Sequence, residues 1–348
     1  MKNQRVLIIG ALVVLAVAAF FFSQKQTKVS DIKVGIILGF TGPIESLTPD
    51  MASGAELAFK EATDSGELLG GANIIPVRAD STCVDSAAAS TAAEDLIAQG
   101  IVAIMGADCS GVTGAIASNV AVPNGVVMVS PSATSPALTD LDDNGLFFRT
   151  APSDARGGEV LADITKDNGV SSVAITYVNT DYGVGLADVY KAALEAHGIT
   201  VTTTTAHEGD KADYSAEVGV LSSAGGDALA VLGYLDQGGN QIIQGSLDSG
   251  AFDTFVLSDG MIGDSLTDTF GSDLDKSFGS MPGSLGEGAQ MFAKYAEENG
   301  VNPSVYVGES YDAAALIVLA MQAGESTDKS SIASNIMNVA NGPGEKIM

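Results

Sequence analysis

The sequence predicts an α/β protein with two consecutive open units, each built on a parallel-dominated sheet. Three observations carry this. From Asp31 onward, short β-branched runs alternate with longer segments of helical period. The alternation breaks once, around residues 147–152, and then resumes. Apolar residues make up 46 % of the 348 and charged residues 17 %, which permits a large core and is unlike a disordered chain.

The first unit opens with a strand over residues 32–40. Its run Val34-Gly35-Ile36-Ile37-Leu38 is continuously apolar, the pattern of a strand buried on both faces. Residues 50–67 carry Ala55, Leu57, Ala58 and Ala62 at helical spacing. A second strand follows at 74–77. Residues 84–99 are Ala-rich and helical, with Gly100 as the stop. Strands at 102–105 and 126–129 bracket a short helix over 110–120. The second unit has strands at 173–178, 199–205, 228–232 and 254–257, with helices at 182–197 and 214–224. The segment Phe147-Phe148-Arg149-Thr150-Ala151-Pro152 joins the two units. Met281-Pro282-Gly283 ends the second set, and three helical stretches follow at 286–299, 311–322 and 331–340.

Ahead of both units, Lys2 and Arg5 precede an unbroken apolar run over residues 6–22. A basic start before an apolar stretch is the pattern of an export signal. The run is also at the short limit for a spanning helix. Ala16-Val17-Ala18 offers a small-residue cleavage site, and Phe20-Phe21-Phe22 would then open the mature chain. No Cys follows the run to take a lipid. Cleavage and retention as an anchor both fit, with residues 24–30 as a polar tether. Either way, the rest of the chain is expected outside the cytoplasm, on the periplasmic or extracellular face, where disulfides persist.

The chain carries 43 acidic and 16 basic residues, a net charge of −27. That charge argues against nucleic acid, whose phosphates need Lys and Arg. It also disfavours anionic lipid, so membrane contact is expected only through an uncleaved N-terminal segment. The two His and two Cys lack C-x-x-C or H-x-x-x-H spacing, so no metal site is expected. No G-x-x-x-x-G-K-[ST] phosphate loop occurs. In Tyr182-Gly183-Val184-Gly185-Leu186-Ala187-Asp188, Asp188 stands where a dinucleotide fingerprint needs its third Gly. Gly263-Asp264-Ser265-Leu266 looks like the serine block of GDSL esterases, but both histidines lie upstream, and the run reads as a helix start. With no nucleophile–base pair in view, neither an enzyme nor a cofactor is expected.

In open α/β sheets, ligands bind beyond the carboxyl ends of the strands. The loops there are Thr41-Gly42-Pro43-Ile44-Glu45-Ser46-Leu47, Ala107-Asp108-Cys109-Ser110-Gly111 and Ser130-Pro131-Ser132-Ala133-Thr134-Ser135-Pro136 in the first unit. In the second they are Asn179-Thr180-Asp181-Tyr182-Gly183 and Ser258-Asp259-Gly260. Ser110 and Ser132-Ala133-Thr134 are expected at helix N-termini, where free N–H groups suit a carboxylate. Ile44 and Leu47 are candidates to line an apolar pocket.

Those loops carry a family resemblance. The chain from about Asp31 onward resembles type I periplasmic binding proteins of the branched-chain amino-acid transporter group. The matching pieces are Ile36-Ile37-Leu38-Gly39-Phe40-Thr41-Gly42-Pro43, Cys109-Ser110, Ser130-Pro131-Ser132-Ala133-Thr134-Ser135-Pro136, Phe148-Arg149-Thr150, Asp181-Tyr182-Gly183 and Ser258-Asp259-Gly260. Each is short, but their order and spacing over some 300 residues make the set specific. The resemblance implies two Rossmann-like lobes closing on a ligand about a hinge that the chain crosses three times. It implies capture of an amino acid, branched-chain or otherwise apolar, and its delivery to a membrane ABC permease. The expected organisation is an export signal or anchor with its tether at 1–30, the first lobe at 31–150 and the second at 151–280. Residues 281–348 return to the first lobe. Relatives continue past the stretch Asn341-Gly342-Pro343-Gly344-Glu345-Lys346, so the chain is expected to be short at its C-terminus.

The resemblance also assigns residues. Ser110 matches the serine hydroxyl on the ligand carboxylate, and Thr134 the threonine contacting carboxylate and ammonium. Ser132 matches a position giving backbone contacts. Tyr182 matches the aromatic residue that covers the ligand from the second lobe. Asp259 matches the acid that pairs the ammonium, where relatives commonly carry Glu. Members selecting amides or urea do not need that acid, so Asp259 favours a zwitterion. The place of Cys83 and Cys109 after neighbouring strands of an exported chain, with the resemblance, points to a disulfide. Plainer roles fit the same residues: caps for Ser110 and Thr134, surface packing for Tyr182, a turn for Asp259. A sensory module feeding a membrane receptor, or a binder of a related amide or carboxylate such as urea, would use the same lobes.

Overall fold

A computed structural model describes residues 31–342. The expected export segment lies outside the described residues. The first lobe is a five-stranded parallel sheet of β1 (Asp31–Leu38), β2 (Asn73–Asp80), β3 (Ala103–Gly106), β4 (Val127–Ser130) and β5 (Phe147–Arg149), in the order β2-β1-β3-β4-β5. Its crossovers are α1 (Thr48–Ser65), α2 (Ser86–Ala98) and α3 (Ser110–Ile116), the last continuing as one π turn over Ala117–Ala121. β1 pairs with β2 along its whole length, Asp31 with Asn73 through Leu38 with Asp80. It is covered on both faces, so Val34, Ile36, Ile37 and Leu38 are all buried. β2 lies at the edge, where Pro76 removes no ladder bond from the interior.

The second lobe alternates α4 (Asp154–Asp167), β6 (Ser172–Val178), α5 (Asp181–Ala196), β7 (Thr200–His207), α6 (Ser215–Ala224), β8 (Ala228–Leu232), α7 (Gly239–Ser249) and β9 (Phe255–Leu257). A short α8 (Asp264–Phe270) and β10 (Phe278–Gly279) complete it, in the parallel order β10-β9-β8-β6-β7. Caps set the helix starts. Asp85 accepts from the N–H groups of Ala87 and Ala88 at α2, Ser153 accepts at α4, and Thr180 accepts at α5.

The remaining helices, α9 (Glu287–Glu298), α10 (Val307–Ala323) and α11 (Lys329–Asn341), pack on the first lobe. α10 lies along α1 and reaches β3 and β4. The crossing depends on Gly54, where a Cβ would lie 2.6 Å from the Val307 carbonyl oxygen. Leu57, Ala296, Val301 and Val307 bury a small apolar cluster there.

Four elements differ from the sequence reading, the two-residue strand β10 among them. The joining segment begins as strand β5, paired through Phe147 with Met128 and Arg149 with Ser130. α4 and α7 are helices the periodicity did not show. α4 carries Gly157-Gly158 and mostly polar residues, and α7 opens on two glycines. Each is fixed by what it buries on the sheet, Leu161 and Ala162 in one case and Ile242 and Ile243 in the other.

Candidate functional site

The carboxyl ends of both sheets face each other, and the loops leaving them close on one small cavity. From the first lobe come Ile44, Leu47 and Met51, with Asp108, Ser110 and Ser132. From the second come Tyr182, Tyr234, Asp259 and Gly260, and Tyr306 enters from the turn before α10. The cavity measures about 30 Å³, room for a water or two, so anything larger enters only as the lobes part.

The first-lobe wall is polar and buried. Ser110 is the first residue of α3, and its Oγ accepts from the Ser135 N–H at 3.1 Å, leaving its own O–H proton free to donate. Ser132 Oγ donates to the Asp108 carbonyl at 3.1 Å. The Asp108 carboxylate is held by the Gly39 N–H at 2.5 Å, the Ser81 hydroxyl at 2.9 Å and the Cys109 N–H at 2.9 Å. Burial pushes its pKa up, and those bonds oppose the rise. Cys83 and Cys109 form a disulfide with Cα atoms 5.1 Å apart, tying the loop after β2 to the start of α3.

Thr134 departs from expectation. It does not begin a regular helix; it lies in the loop ahead of a 3₁₀ turn at Pro136–Asp140. The chain after β4 turns on Ser130, whose Oγ accepts from the N–H groups of Ser132 and Ala133, and this takes up donors that a helix start would present. Thr134 is not on the wall of the small cavity. Its hydroxyl is buried beside the Asp154 carboxylate without a well-aligned hydrogen bond, and its carbonyl accepts from the Asp154 N–H at 2.9 Å.

On the second lobe, Tyr182 is stacked on Tyr234, centroids 5.2 Å apart. Its hydroxyl donates to Asp259 Oδ1 at 2.5 Å and accepts from the Gly260 N–H at 3.3 Å. Gly260 has to be small, because a Cβ there would lie 2.5 Å from the Gly233 carbonyl and 3.2 Å from the Tyr182 hydroxyl. The other Asp259 oxygen accepts from the Tyr306 hydroxyl. Tyr306 holds φ +65°, a left-handed conformation that costs a non-glycine residue on the order of 1–3 kcal/mol.

Two residues that sequence reasoning missed complete the acidic end: Asp154 and Tyr306. Asp154 is buried, and its Oδ2 has no hydrogen-bond partner among the described residues. Asp154 and Asp259 share a second cavity of about 140 Å³ with Ser258, Leu161 and Met281. Burial raises the pKa of Asp154, the neighbouring Asp259 raises it further, and Thr134 and Arg149 oppose. Burial likewise raises that of Asp259, against the bonds from Tyr182 and Tyr306. Arg149 is anchored on the Ala133 and Ser135 carbonyls at 3.1 and 2.9 Å. The only available signal for Asp154 was its position next to the Ser153 cap, which a capping role explains equally well.

Ser110, Ser132, Tyr182 and Asp259 therefore meet at one cavity, with Thr134 one layer behind. A sequence profile of the periplasmic binding protein family matches residues 31–340. The chain belongs to that family. Leu/Ile/Val-binding protein homolog 1 of Brucella melitensis is 30 % identical over 313 residues, 87 % of this periplasmic binding protein and 81 % of the relative. Homolog 3 from the same organism is 35 % identical over 214 residues, which span 60 % of this chain but only 56 % of that protein. Among solved structures, the leucine-binding protein LivK of Thermotoga maritima superposes with a TM-score of 0.77 at 25 % identity, covering 88 % of this chain and 87 % of that one. An ABC transporter substrate-binding protein of Desulfitobacterium hafniense, solved with Leu, gives 0.72 at 25 % identity, covering 92 % and 91 %. These likenesses place this periplasmic binding protein in the branched-chain amino-acid transporter group of type I members, with the expected two-lobed α/β fold.

Proposed function

We propose that this protein captures an amino acid with an apolar side chain between its lobes and hands it to a membrane ABC permease. The observation that carries the reading is the split character of the cleft. A buried hydroxyl on the first lobe, Ser110, faces a buried carboxylate on the second, Asp259, beside the apolar Ile44, Leu47 and Met51. In this reading the Ser110 hydroxyl takes the ligand carboxylate, with Ser132 beside it on the same wall. Asp259 takes the ammonium with Asp154 and Thr134 behind it, Tyr182 covers the ligand, and the apolar residues receive the side chain. Each end of the zwitterion is then gripped by a different lobe, so the ligand binds the closed form better than the open one. Relatives named for Leu, Ile and Val binding support this ligand class. Export, with residues 6–22 cleaved or kept as an anchor, belongs to the same reading. The site needs no cofactor, and no chemistry is assigned to it.

A thermal-shift screen of amino acids, amides and small acids, followed by calorimetry, tests this. Ligand at 100 times its Kd should add about 2.7 kcal/mol of stability. Leu, Ile or Val should stand at the head of the ranking. A response to urea or simple carboxylates with none to any amino acid would overturn the assignment.

A further inference from the structure

The rim of the cleft carries a cross-lobe contact that is not part of the cavity wall. Asp236, in the loop after β8, reaches the loop after β1. Its Oδ2 accepts from the Ser46 N–H at 3.0 Å and from the Ser46 hydroxyl at 2.7 Å. Its own N–H donates to the Pro43 carbonyl at 3.0 Å. Next to these bonds Leu47 and Leu235 are both buried and flank Gly263, where a Cβ would lie 2.6 Å from Leu235 and 3.2 Å from Leu47. Each loop is fixed within its own lobe. Thr41 donates its hydroxyl to Asp80 at 2.7 Å, and Tyr234 stacks on Tyr182.

Charge makes this contact matter. The chain is strongly acidic, and among the described residues every ion pair joins partners of the same lobe. Attraction between opposite charges therefore does not draw the lobes together, and their acidic excess opposes closure. A carboxylate held by neutral donors bridges the rim without needing a cation, and bonds to an ionised acceptor are the stronger kind.

We propose that Asp236 is a positioning residue that holds the two lobes closed from the rim, without touching the ligand. It sets how often the empty protein visits the closed form and how long a captured ligand stays.

The test is single-molecule energy transfer with one dye on each lobe, at cysteines replacing the exposed Glu94 and Glu195. Both native cysteines are locked in the disulfide, so labelling is specific. Asp236→Ala should lower the closed fraction of the ligand-free protein about tenfold. Ser46→Ala should lower it less, and the double variant should be no lower than Asp236→Ala, because the two act through one contact. With L-leucine as the probe, dissociation should quicken by the same factor while association stays unchanged. Equal closed fractions in wild type and Asp236→Ala overturn the proposal, as do additive effects of the two substitutions, whatever either does to melting temperature. The leucine arm rests on the proposed function and the energy-transfer arm does not. Failure of wild type to bind leucine counts against the ligand assignment and leaves the clasp decided by the dyes.

Discussion

Tyr182 and Asp259 are joined directly, phenol oxygen to carboxylate oxygen at 2.5 Å, on the second-lobe side of the cleft. That bond lies within the second lobe and persists as the lobes part, whereas the Tyr306 bond to the other oxygen crosses between the lobes and belongs to the closed form. An ammonium entering the cavity meets an acceptor whose rotamer is already fixed, which lowers the ordering cost of binding.

Asp259→Asn keeps the shape and removes the charge. Removing one partner of an enclosed charged pair costs about 2–5 kcal/mol, so leucine affinity should fall roughly 30- to several-thousand-fold. Calorimetry on the variant checks this, and near-wild-type affinity would rule the pairing out. A gained affinity for the des-amino acid of the same side chain would support it.

Asp154 and Asp259 both have pKa values raised by burial, and the Asp259 charge raises that of Asp154 further. The ligand-free pair therefore retains a proton above the usual carboxylate range. An ammonium favours the fully ionised pair, so binding should release protons, and affinity should rise with pH until the raised pKa is passed. Binding heats measured in buffers of different ionisation enthalpy report the release. Asp154→Asn should reduce it, and buffer-independent wild-type heats would contradict the linkage.

The Cys83–Cys109 disulfide closes a loop 26 residues long in sequence. The loop-entropy estimate is on the order of 3 kcal/mol. Unfolding the Cys83→Ala/Cys109→Ala double variant in urea should show that loss of stability together with a steeper slope, because the unfolded chain is no longer cross-linked. Because Cys109 adjoins Ser110, ligand affinity should fall as well.

His207 is buried with Nδ1 2.8 Å from the Thr176 hydroxyl, and its Nε2 has no partner among the described residues. Burial pushes its pKa down to about 4. Between pH 6.5 and 4 the unfolded chain takes up the proton first, so stability falls with falling pH across that window. The full loss is about 3 kcal/mol below pH 4. The raised carboxylates run the opposite way, so the informative quantity is the difference in slope between wild type and His207→Asn. Identical slopes would show that His207 does not titrate as described.

Periodicity alone determined the two α/β units, because β1, β3, β4, β6 and β8 are buried on both faces and must read as apolar runs. The loops that matter were legible for the same reason, since the carboxyl ends of such strands are where an open sheet leaves a crevice. Ser110, Ser132, Tyr182 and Asp259 all sit on those loops, and the structure draws them to one cavity. Tertiary structure decided the rest. α4 and α7 form because a sheet face needs covering, although their glycines and polar residues argue against helix locally. Tyr306 joins the site only because α10 packs back across α1 and brings its preceding turn over the cleft. Asp154 reads as a first-turn acid in sequence and becomes half of a carboxylate pair only when the second lobe folds and brings the start of α4 beside the loop after β9. Burial and partnership between residues 100 or more apart are properties of the folded chain, and no local pattern encodes them.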